Sequence, residues 1–269
     1  MRRHHASGVE SGFALLIVLW TLVPIALLFV MLAAAARSDA QLTANLRSAA
    51  ELEATADGAI YSALFDLLQR GAVRRNGPPL ALRLSNADVL LDVRSESGLV
   101  NPNTASPGLL GALLVRLGAD PAQASGVASA VADWRTAGRR SARNGAKASQ
   151  YQAAGLDYAP PGAPFETLSE LGDVLGMTPA LLQALAPHLT LYSDGDPDPA
   201  LADPVVRAAL RDLGAIAIAS GAEARVVRIT ATAQRSNAAR VTRRAIIQIG
   251  NSPNRRGWRV LIWDTPHDE

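Results

Sequence analysis

The sequence GFALLIVLWTLVPIALLFVMLAAAA, from Gly12 to Ala36, decides the fold of this chain. The 24 residues from Phe13 to Ala36 carry no charge, and as a helix they reach about 36 Å, which is enough to cross a bilayer core of ~30 Å. A short polar leader with Arg2 and Arg3 precedes them. Because short basic segments tend to stay inside, we expect a transmembrane helix at 13–36 with the leader in the cytoplasm.

The junction between leader and helix has a glycine, Gly12, followed at once by Phe13. This arrangement resembles the start of type IV prepilins and pseudopilins, in which a membrane peptidase cuts after the glycine and the helix stays on the mature protein. Two other interpretations stay open on this stretch alone. One is an uncleaved signal anchor. The other is a secretory signal cut after Ala36, although the apolar run is longer than the 7–15 residues usual for such signals.

The composition excludes several classes of protein. After the apolar helix about 230 of the 269 residues remain, enough for one large domain or two small ones. A net charge of +2 argues against a dedicated nucleic-acid binder. The absence of cysteine excludes a disulfide framework, a thiol nucleophile and a thiolate metal site.

The residues after the membrane segment predict that the helix continues. From 38 to 70 there is no proline, Gly58 is the only glycine, and good helix formers dominate. Ile60, Leu64, Leu67 and Leu68 form an apolar stripe. One helix is therefore expected from Phe13 to Arg70, with Gly71 as its C′ residue and a kink at Pro24. Two helices with a break near Arg37 are the alternative.

Alternating apolar residues predict an antiparallel sheet packed on the second half of this helix. The first two strands form a hairpin whose turn is expected at 85–88. Three further strands are expected near the end of the chain. The alternating residues are Leu80, Leu82 and Leu84; Val89, Leu91 and Val93; Val227, Ile229 and Ala231; Val241, Ala245, Ile247 and Ile249; and Trp258, Val260 and Ile262.

Between the two groups of strands, helix-start signals recur. Four pairs place a capping residue directly before proline, which favours the first turn of a helix. A capping box from Thr167 to Glu170 predicts a further helix that ends at Gly176, and 135–162 is expected to be a long loop. The four pairs are Ser106-Pro107, Asp120-Pro121, Thr178-Pro179 and Asp203-Pro204. The fold class is therefore α+β, with an all-α domain inserted into a helix-and-sheet domain.

The order of these parts resembles the large minor pseudopilin of type II secretion, the general secretion pathway protein K family, over nearly the whole chain. The short stretches that carry the resemblance are Gly12-Phe13, Leu91-Asp92-Val93, Glu96-Ser97-Gly98, Asn101-Pro102-Asn103, Asp133-Trp134-Arg135, Pro164 to Leu171, Gly176-Met177-Thr178, Leu185-Ala186-Pro187, Leu189-Thr190 and Trp258 to Trp263. The resemblance implies a leader at 1–12, a membrane helix at 13–36, a pilin-like domain at 37–100 and 215–269, and an inserted α-domain at 101–214.

The resemblance also implies a function. Members of the family are structural subunits and not enzymes, and they are believed to cap the tip of a periplasmic pseudopilus that supports the export of folded proteins. We therefore expect cleavage between Gly12 and Phe13 by the prepilin peptidase, N-methylation of Phe13, and insertion in the bacterial inner membrane with the bulk of the chain in the periplasm. The implied partners are the minor pseudopilins I and J and the inner-membrane assembly platform. No nucleic acid is expected.

The fifth residue of the expected mature chain is Ile17. Most type IV pilins and pseudopilins have glutamate there, which is thought to neutralise the N-terminal amine of a neighbouring subunit. A buried carboxylate without such a partner is costly. A subunit at the fibre tip has no neighbour above it, so an apolar residue fits that place. An ordinary apolar residue in the membrane helix of a plain anchor would look the same at Ile17.

Candidate chemistry is sparse. His188 is the only histidine in the folded part and is expected to be structural. Asp194, Asp196 and Asp198 begin like a calcium-binding loop, but Pro199 replaces the required glycine and Val205 the final acid. The resemblance implies a second calcium candidate at Asp133, yet basic residues follow it and repel a cation. These are Arg139, Arg140, Arg143 and Lys147.

Two other functions are weighed against the structural subunit. The turn from Leu175 to Thr178 is similar to that of a helix-hairpin-helix, which binds DNA phosphates through backbone N–H groups. Gly176 is more simply a helix C-cap there, so DNA binding is not favoured. The main alternative is an uncleaved bitopic membrane protein with a periplasmic ligand-binding domain, which a deep apolar pocket in the α-domain would favour.

Overall fold

The computed structural model describes residues 10–70, 77–84, 87–138, 145–214, 224–235, 240–250 and 257–266. Its elements are α1 (Glu10–Arg70), β1 (Leu80–Leu84), β2 (Ala87–Ser95), α2 (Pro107–Arg116), α3 (Pro121–Trp134), α4 (Ala148–Ala153), α5 (Pro179–Leu185), α6 (Pro204–Asp212), β3 (Ala224–Gln234), β4 (Arg240–Gly250) and β5 (Trp258–Asp264). Short 3₁₀ turns lie at Glu96–Gly98, Ser169–Asp173 and Ala186–His188.

One helix of 61 residues, α1, carries both the membrane segment and one side of the first core. It continues through Arg37, so the interpretation as a single helix is confirmed, and Pro24 lies inside it. The predicted C′ residue Gly71 lies outside the described residues. Only the C-terminal half of α1 is buried, along a stripe that includes Leu52, Ile60 and Leu64.

Five antiparallel strands in the order β1-β2-β3-β4-β5 form the sheet, as predicted. β2 and β3 pair over eight residues, from Asp88 opposite Gln234 to Ser95 opposite Val227, although Ser95 and Val227 are 132 positions apart in the chain. The face towards α1 holds the first core, with Val89, Ile229 and Ile247 among its buried members. The helix-and-sheet part is therefore closed by two distant segments of the chain.

Two details of the sheet differ from the prediction. Ala87 and Asp88, expected in the turn of the hairpin, already belong to β2 and pair with β1. In β5 the predicted alternation is wrong, because Ile262 lies opposite Ile246 while Val260 lies opposite Ile247. This irregularity puts Val260 and Ile262 on opposite faces.

The α-domain lies between β2 and β3 in the chain, and four of its helices begin where the capping pairs predicted. Ser106 Oγ accepts from Leu109 N at 3.1 Å, Asp120 Oδ1 from Ala122 N at 2.8 Å, and Thr178 Oγ1 from Leu181 N at 3.2 Å. In each case proline follows the cap. These helices enclose a second core that is separate from the first.

Two predictions in the α-domain are wrong. The expected loop at 135–162 contains helix α4, which buries Tyr151 completely. The predicted helix after Thr167 is only a 3₁₀ turn. Glu170 Oε1 accepts from Thr167 N at 2.7 Å, but the Thr167 hydroxyl bonds to the Glu170 side chain, so only one half of the capping box forms.

Candidate functional site

The residues of the predicted processing junction lie in the first turns of α1. Phe13 is 68% exposed and Ile17 is 47% exposed. α1 also contains an 18-residue window of mean hydropathy 2.9 with no buried residue, and it is the one helix in the described part of the chain that is long and apolar enough to span a membrane. The junction therefore stands at the start of an uncovered apolar helix.

The outer face of α1, opposite the sheet, forms a second uncovered surface. We call Ala50, Ala54, Gly58, Tyr61 and Phe65 the outer stripe, since spacings of three and four residues place them on one face. Tyr61 is 54% and Phe65 is 61% exposed. A Cβ atom added at Gly58 would meet nothing within 4 Å. This face can take a second helix, since small residues permit close approach and the aromatic rings offer apolar area.

The sheet holds α1 through a polar cluster beside the outer stripe. Arg243 bonds to Asp57 Oδ1 at 2.9 Å and to Glu53 Oε1 at 3.1 Å. The Trp263 indole donates to the same Asp57 oxygen at 3.0 Å and packs on Tyr61 with ring centroids 4.8 Å apart. These contacts fix the rotation of α1 on the sheet, and so they determine which face of the helix stays exposed.

A tight crossing joins the sheet to the α-domain. Glu96 is fully buried and its carboxylate lies 2.7 Å from Arg228 on β3. A Cβ atom on Gly98 would lie 2.3 Å from the backbone oxygen of Leu201, so only glycine fits there. Ser97 O accepts from Asp198 N at 2.7 Å. The crossing also forms one wall of an open cleft of about 560 Å³, which the start of α6 closes on the other side.

The end of α3 meets a buried ammonium group. Asp133 is 4% exposed and Lys147 is 9% exposed. Lys147 Nζ donates to the backbone oxygens of Asp133 and Thr136, each at 2.6 Å. Next to it, Arg135 donates to the backbone oxygens of Pro102 and Ala105, and burial lowers the pKa of this guanidinium. Arg135 and Lys147 therefore donate hydrogen bonds to backbone oxygens inside the α-domain.

Aromatic residues close the same region. Trp134 stacks on Phe165 with centroids 5.8 Å apart, and Tyr151 meets Tyr158 edge-on at 5.6 Å. The Tyr151 hydroxyl accepts from Leu175 N at 2.9 Å, and burial raises the pKa of Tyr151 to about 12. This tyrosine therefore stays a neutral structural phenol at physiological pH.

The three aspartates proposed as calcium ligands in one loop, Asp194, Asp196 and Asp198, differ in their surroundings. Asp198 Oδ1 accepts from Ala200 N at 2.8 Å and so caps a turn, while Asp194 and Asp196 are exposed. Residues 139–144, which hold Arg139, Arg140 and Arg143, lie outside the described residues. Among the residues that are described, no group of three or more His, Cys, Asp or Glu is placed to hold a metal ion.

His188 hydrogen-bonds to Asp203 and so joins a 3₁₀ turn to the start of α6. Its Nδ1 lies 2.7 Å from Asp203 Oδ2, while Asp203 Oδ1 accepts from Val205 N and Val206 N at the start of α6. Burial would raise the pKa of Asp203, but the hydrogen bonds from His188 and from the two amides outweigh it and lower the pKa. The sequence predicted that Asp203 is a helix N-cap, but it did not predict the contact with His188, because the two residues are 15 positions apart.

A long N-terminal helix that is apolar in its first half and packs on an antiparallel sheet in its second half is a pilin-like fold, here with an α-domain between β2 and β3. Residues 84–194 match the family model of type II secretion system protein K. A search of curated proteins found no match. Over residues 84–194 the chain is therefore similar to protein K of type II secretion.

A solved structure shares the fold. The chain is similar, at 18% identity and a TM-score of 0.60, to a chain of the GspK-GspI-GspJ complex from the type 2 secretion system of enterotoxigenic Escherichia coli. The similarity covers 86% of this chain and 99% of that one. Both the helix-and-sheet part and the α-domain therefore have a counterpart of known structure.

Proposed function

We propose that this chain is the subunit that caps the tip of a periplasmic pseudopilus and supports the export of folded proteins. In this proposal the leader stays in the cytoplasm, the prepilin peptidase cuts between Gly12 and Phe13, and Phe13 is methylated. The bulk of the chain lies in the periplasm. The observation that carries the proposal is the uncovered apolar start of α1, with Phe13 directly after a glycine, on a chain whose residues 84–194 match the protein K family model.

Two features support a place at the tip. Ile17 is uncharged where most pilin-like subunits carry glutamate, so it offers no carboxylate to the N-terminal amine of a neighbour. The α-domain has its own core and adds bulk to the end of the subunit remote from the membrane helix. A subunit with no neighbour above it can carry such a domain without a clash.

The proposed partners are the minor pseudopilins I and J and the inner-membrane assembly platform. The similar solved structure is a GspK-GspI-GspJ complex, which supports the choice of I and J. The outer stripe supplies a surface for them, because a partner anchored by one membrane helix would rise beside α1 and meet this face. Tyr61 and Phe65 would then lose their exposure to water.

The experiment that tests processing is the mass of the N-terminal peptide after co-expression with a prepilin peptidase. We expect wild type to begin at N-methylated Phe13 and Gly12→Val to keep its leader. Gly8→Val is the matched control, because it changes the other leader glycine and should leave cleavage unchanged. A wild-type chain that keeps Met1 would return it to the uncleaved-anchor alternative. A start after Ala36 would make it a soluble periplasmic protein.

The place at the tip is tested at Ile17. Glutamate there would bury a carboxylate with no amine to pair with, so Ile17→Glu should co-purify several-fold less I and J than wild type. Ile17→Leu keeps the position apolar and serves as the control. If Ile17→Glu assembled as well as wild type or better, the subunit would have a neighbour above it and the tip position would be wrong.

A further inference from the structure

The chain uses one lysine among 26 basic Lys and Arg residues, and that lysine, Lys147, is buried. Its ammonium nitrogen lies 2.6 Å from the backbone oxygen of Asp133 and 2.6 Å from that of Thr136. Both are short charge-assisted hydrogen bonds. Lys147 therefore differs from an ordinary surface lysine, whose ammonium group is solvated by water.

One of these oxygens, that of Asp133, belongs to the last turn of α3, and the other, that of Thr136, follows the helix directly. α3 stops at Trp134, so the last carbonyls of the helix lack intrahelical partners and carry the negative end of its dipole. A cation placed there is favourable. The compact ammonium can point separate N–H groups at oxygens three residues apart, whereas a planar guanidinium presents its donors in a fixed fork.

Lys147 is itself held in place by the helix that follows it. Its backbone N–H donates to Gln150 Oε1 at 2.9 Å, and its backbone oxygen accepts from Gln150 N at 2.9 Å. One turn further along α4, Tyr151 is fully buried with its hydroxyl bonded to Leu175 N. Lys147 and Tyr151 therefore hold the first turn of α4 at two points. The ammonium attaches it to the end of α3, and the phenol attaches it to the backbone at Leu175.

A bound divalent cation does not fit this place. Calcium takes six to eight oxygen ligands, mostly carboxylates and carbonyls. Here a positively charged group already occupies the carbonyl oxygens, and the described residues offer no cluster of three acidic or other metal-binding side chains. A metal ion that bound the same carbonyl oxygens would lie next to the Lys147 ammonium and be repelled by its charge.

We propose that Lys147 is a built-in cation that holds the start of α4 on the end of α3, so that these two elements of the α-domain are joined without a metal ion. The proposal is independent of the position of the subunit in the pseudopilus. It also accounts for the single lysine in an otherwise arginine-based chain, since this is a place where the compact ammonium is required.

The single lysine permits a direct test on the wild-type chain in detergent. An amine-specific acylating reagent can label only Lys147 and the N-terminal amine, and peptide mass separates the two. We expect Lys147 to react at least tenfold more slowly in the folded chain than in urea. Equal rates in the two states would show an accessible ammonium and overturn the proposal.

A calcium titration distinguishes a join between α3 and α4 that is made by the Lys147 ammonium from one that is made by a metal ion. Any ion that binds the folded state raises the thermal midpoint as its concentration increases. We expect the same midpoint in calcium chloride and in chelator. A calcium-dependent rise, or protection of Lys147 from acylation only when calcium is present, would overturn the proposal.

A pair of variants isolates the charge. Lys147→Met keeps an unbranched chain of similar length without the ammonium, and Gln152→Met puts the same side chain on the exposed side of α4. We expect faster amide exchange at Tyr151 and Ala154 in Lys147→Met alone, with Lys147→Arg not restoring the wild-type rate. Wild-type exchange in Lys147→Met would contradict the proposal, and the acylation result stands if this variant fails to fold.

Discussion

The two cores of the molecule are built in opposite ways. The α-domain core draws its buried residues from one continuous segment, from Val100 to Leu210. The helix-and-sheet core joins Leu52 to Val93 with Val227 to Ile247, from the two ends of the chain. The buried residues of the first come from its own short helices and the turns between them. In the second, the N-terminal half of α1 is exposed over the residues that the structure describes, so an assembly partner, as proposed above, has a surface to cover there and not in the α-domain core.

The largest expected effect comes from emptying each core separately. Leu113→Ala and Ile229→Ala each remove a fully buried aliphatic side chain, and each should cost about 2–5 kcal/mol of unfolding free energy. If the cores are separate, Leu113→Ala should speed amide exchange in α2, α3 and α6 and leave β2 to β4 unchanged. Ile229→Ala should do the reverse. Exchange that rises in both parts for either variant would mean a single cooperative core.

The next effect is at the crossing between the two parts. Gly98→Ala puts a Cβ atom 2.3 Å from a backbone oxygen of Leu201, which cannot move as a flexible side chain can. We expect a loss of about 1–3 kcal/mol, measured by chemical denaturation. Gly126→Ala in α3 is the control, because its Cβ meets nothing within 4 Å and should add about 0.5–1 kcal/mol. A tolerated Gly98→Ala would contradict the close packing of the crossing.

A smaller effect is expected at the start of α6 in the α-domain. Asp203→Ala removes an N-cap and should cost about 1 kcal/mol, whereas Asp203→Asn keeps an acceptor for the two amides. Because the folded pKa of Asp203 is lowered, its charge stabilises the protein above the unfolded pKa, near 3.9, and that stability is lost as pH falls through the folded pKa. Denaturation midpoints measured from pH 6 to 2 should therefore fall less steeply in Asp203→Asn than in wild type. Equal slopes would show that the His188 contact does not act on this carboxylate.

The same contrast explains what the sequence could predict. The starts of α2, α3, α5 and α6 were predictable because a cap and its proline act within four residues. Helix α4 was missed because its stability comes from distant contacts, the ammonium of Lys147 on α3 and the ring of Tyr151 in the core. The shift in β5 was missed because the alternation of Trp258, Val260 and Ile262 looks regular until it is aligned with β4.

In the candidate site, too, the features that depend on local sequence were predictable and those that depend on distant contacts were not. The membrane helix and its junction could be read from composition and local order. The outer stripe could not, because the sequence shows that Ile60 and Leu64 form an apolar face but does not show that Tyr61 and Phe65 stay outside it. Lys147 was interpreted as a charge that repels calcium, while its burial on two carbonyl oxygens depends on how the start of α4 lies against the end of α3.

The smallest expected effect on stability should have the clearest effect on assembly. Phe65 is 61% exposed, so Phe65→Asp should change the unfolding free energy of the isolated chain by no more than about 0.5 kcal/mol. If a partner helix covers the outer stripe, the same change removes about 1.5–3 kcal/mol of apolar burial and weakens co-purification of I and J by about tenfold or more. Val115→Asp, at an exposed apolar position of α2 and outside α1, is the matched control. Wild-type assembly of Phe65→Asp would mean that the partners use another surface, and the uncovered helix would then need a different explanation.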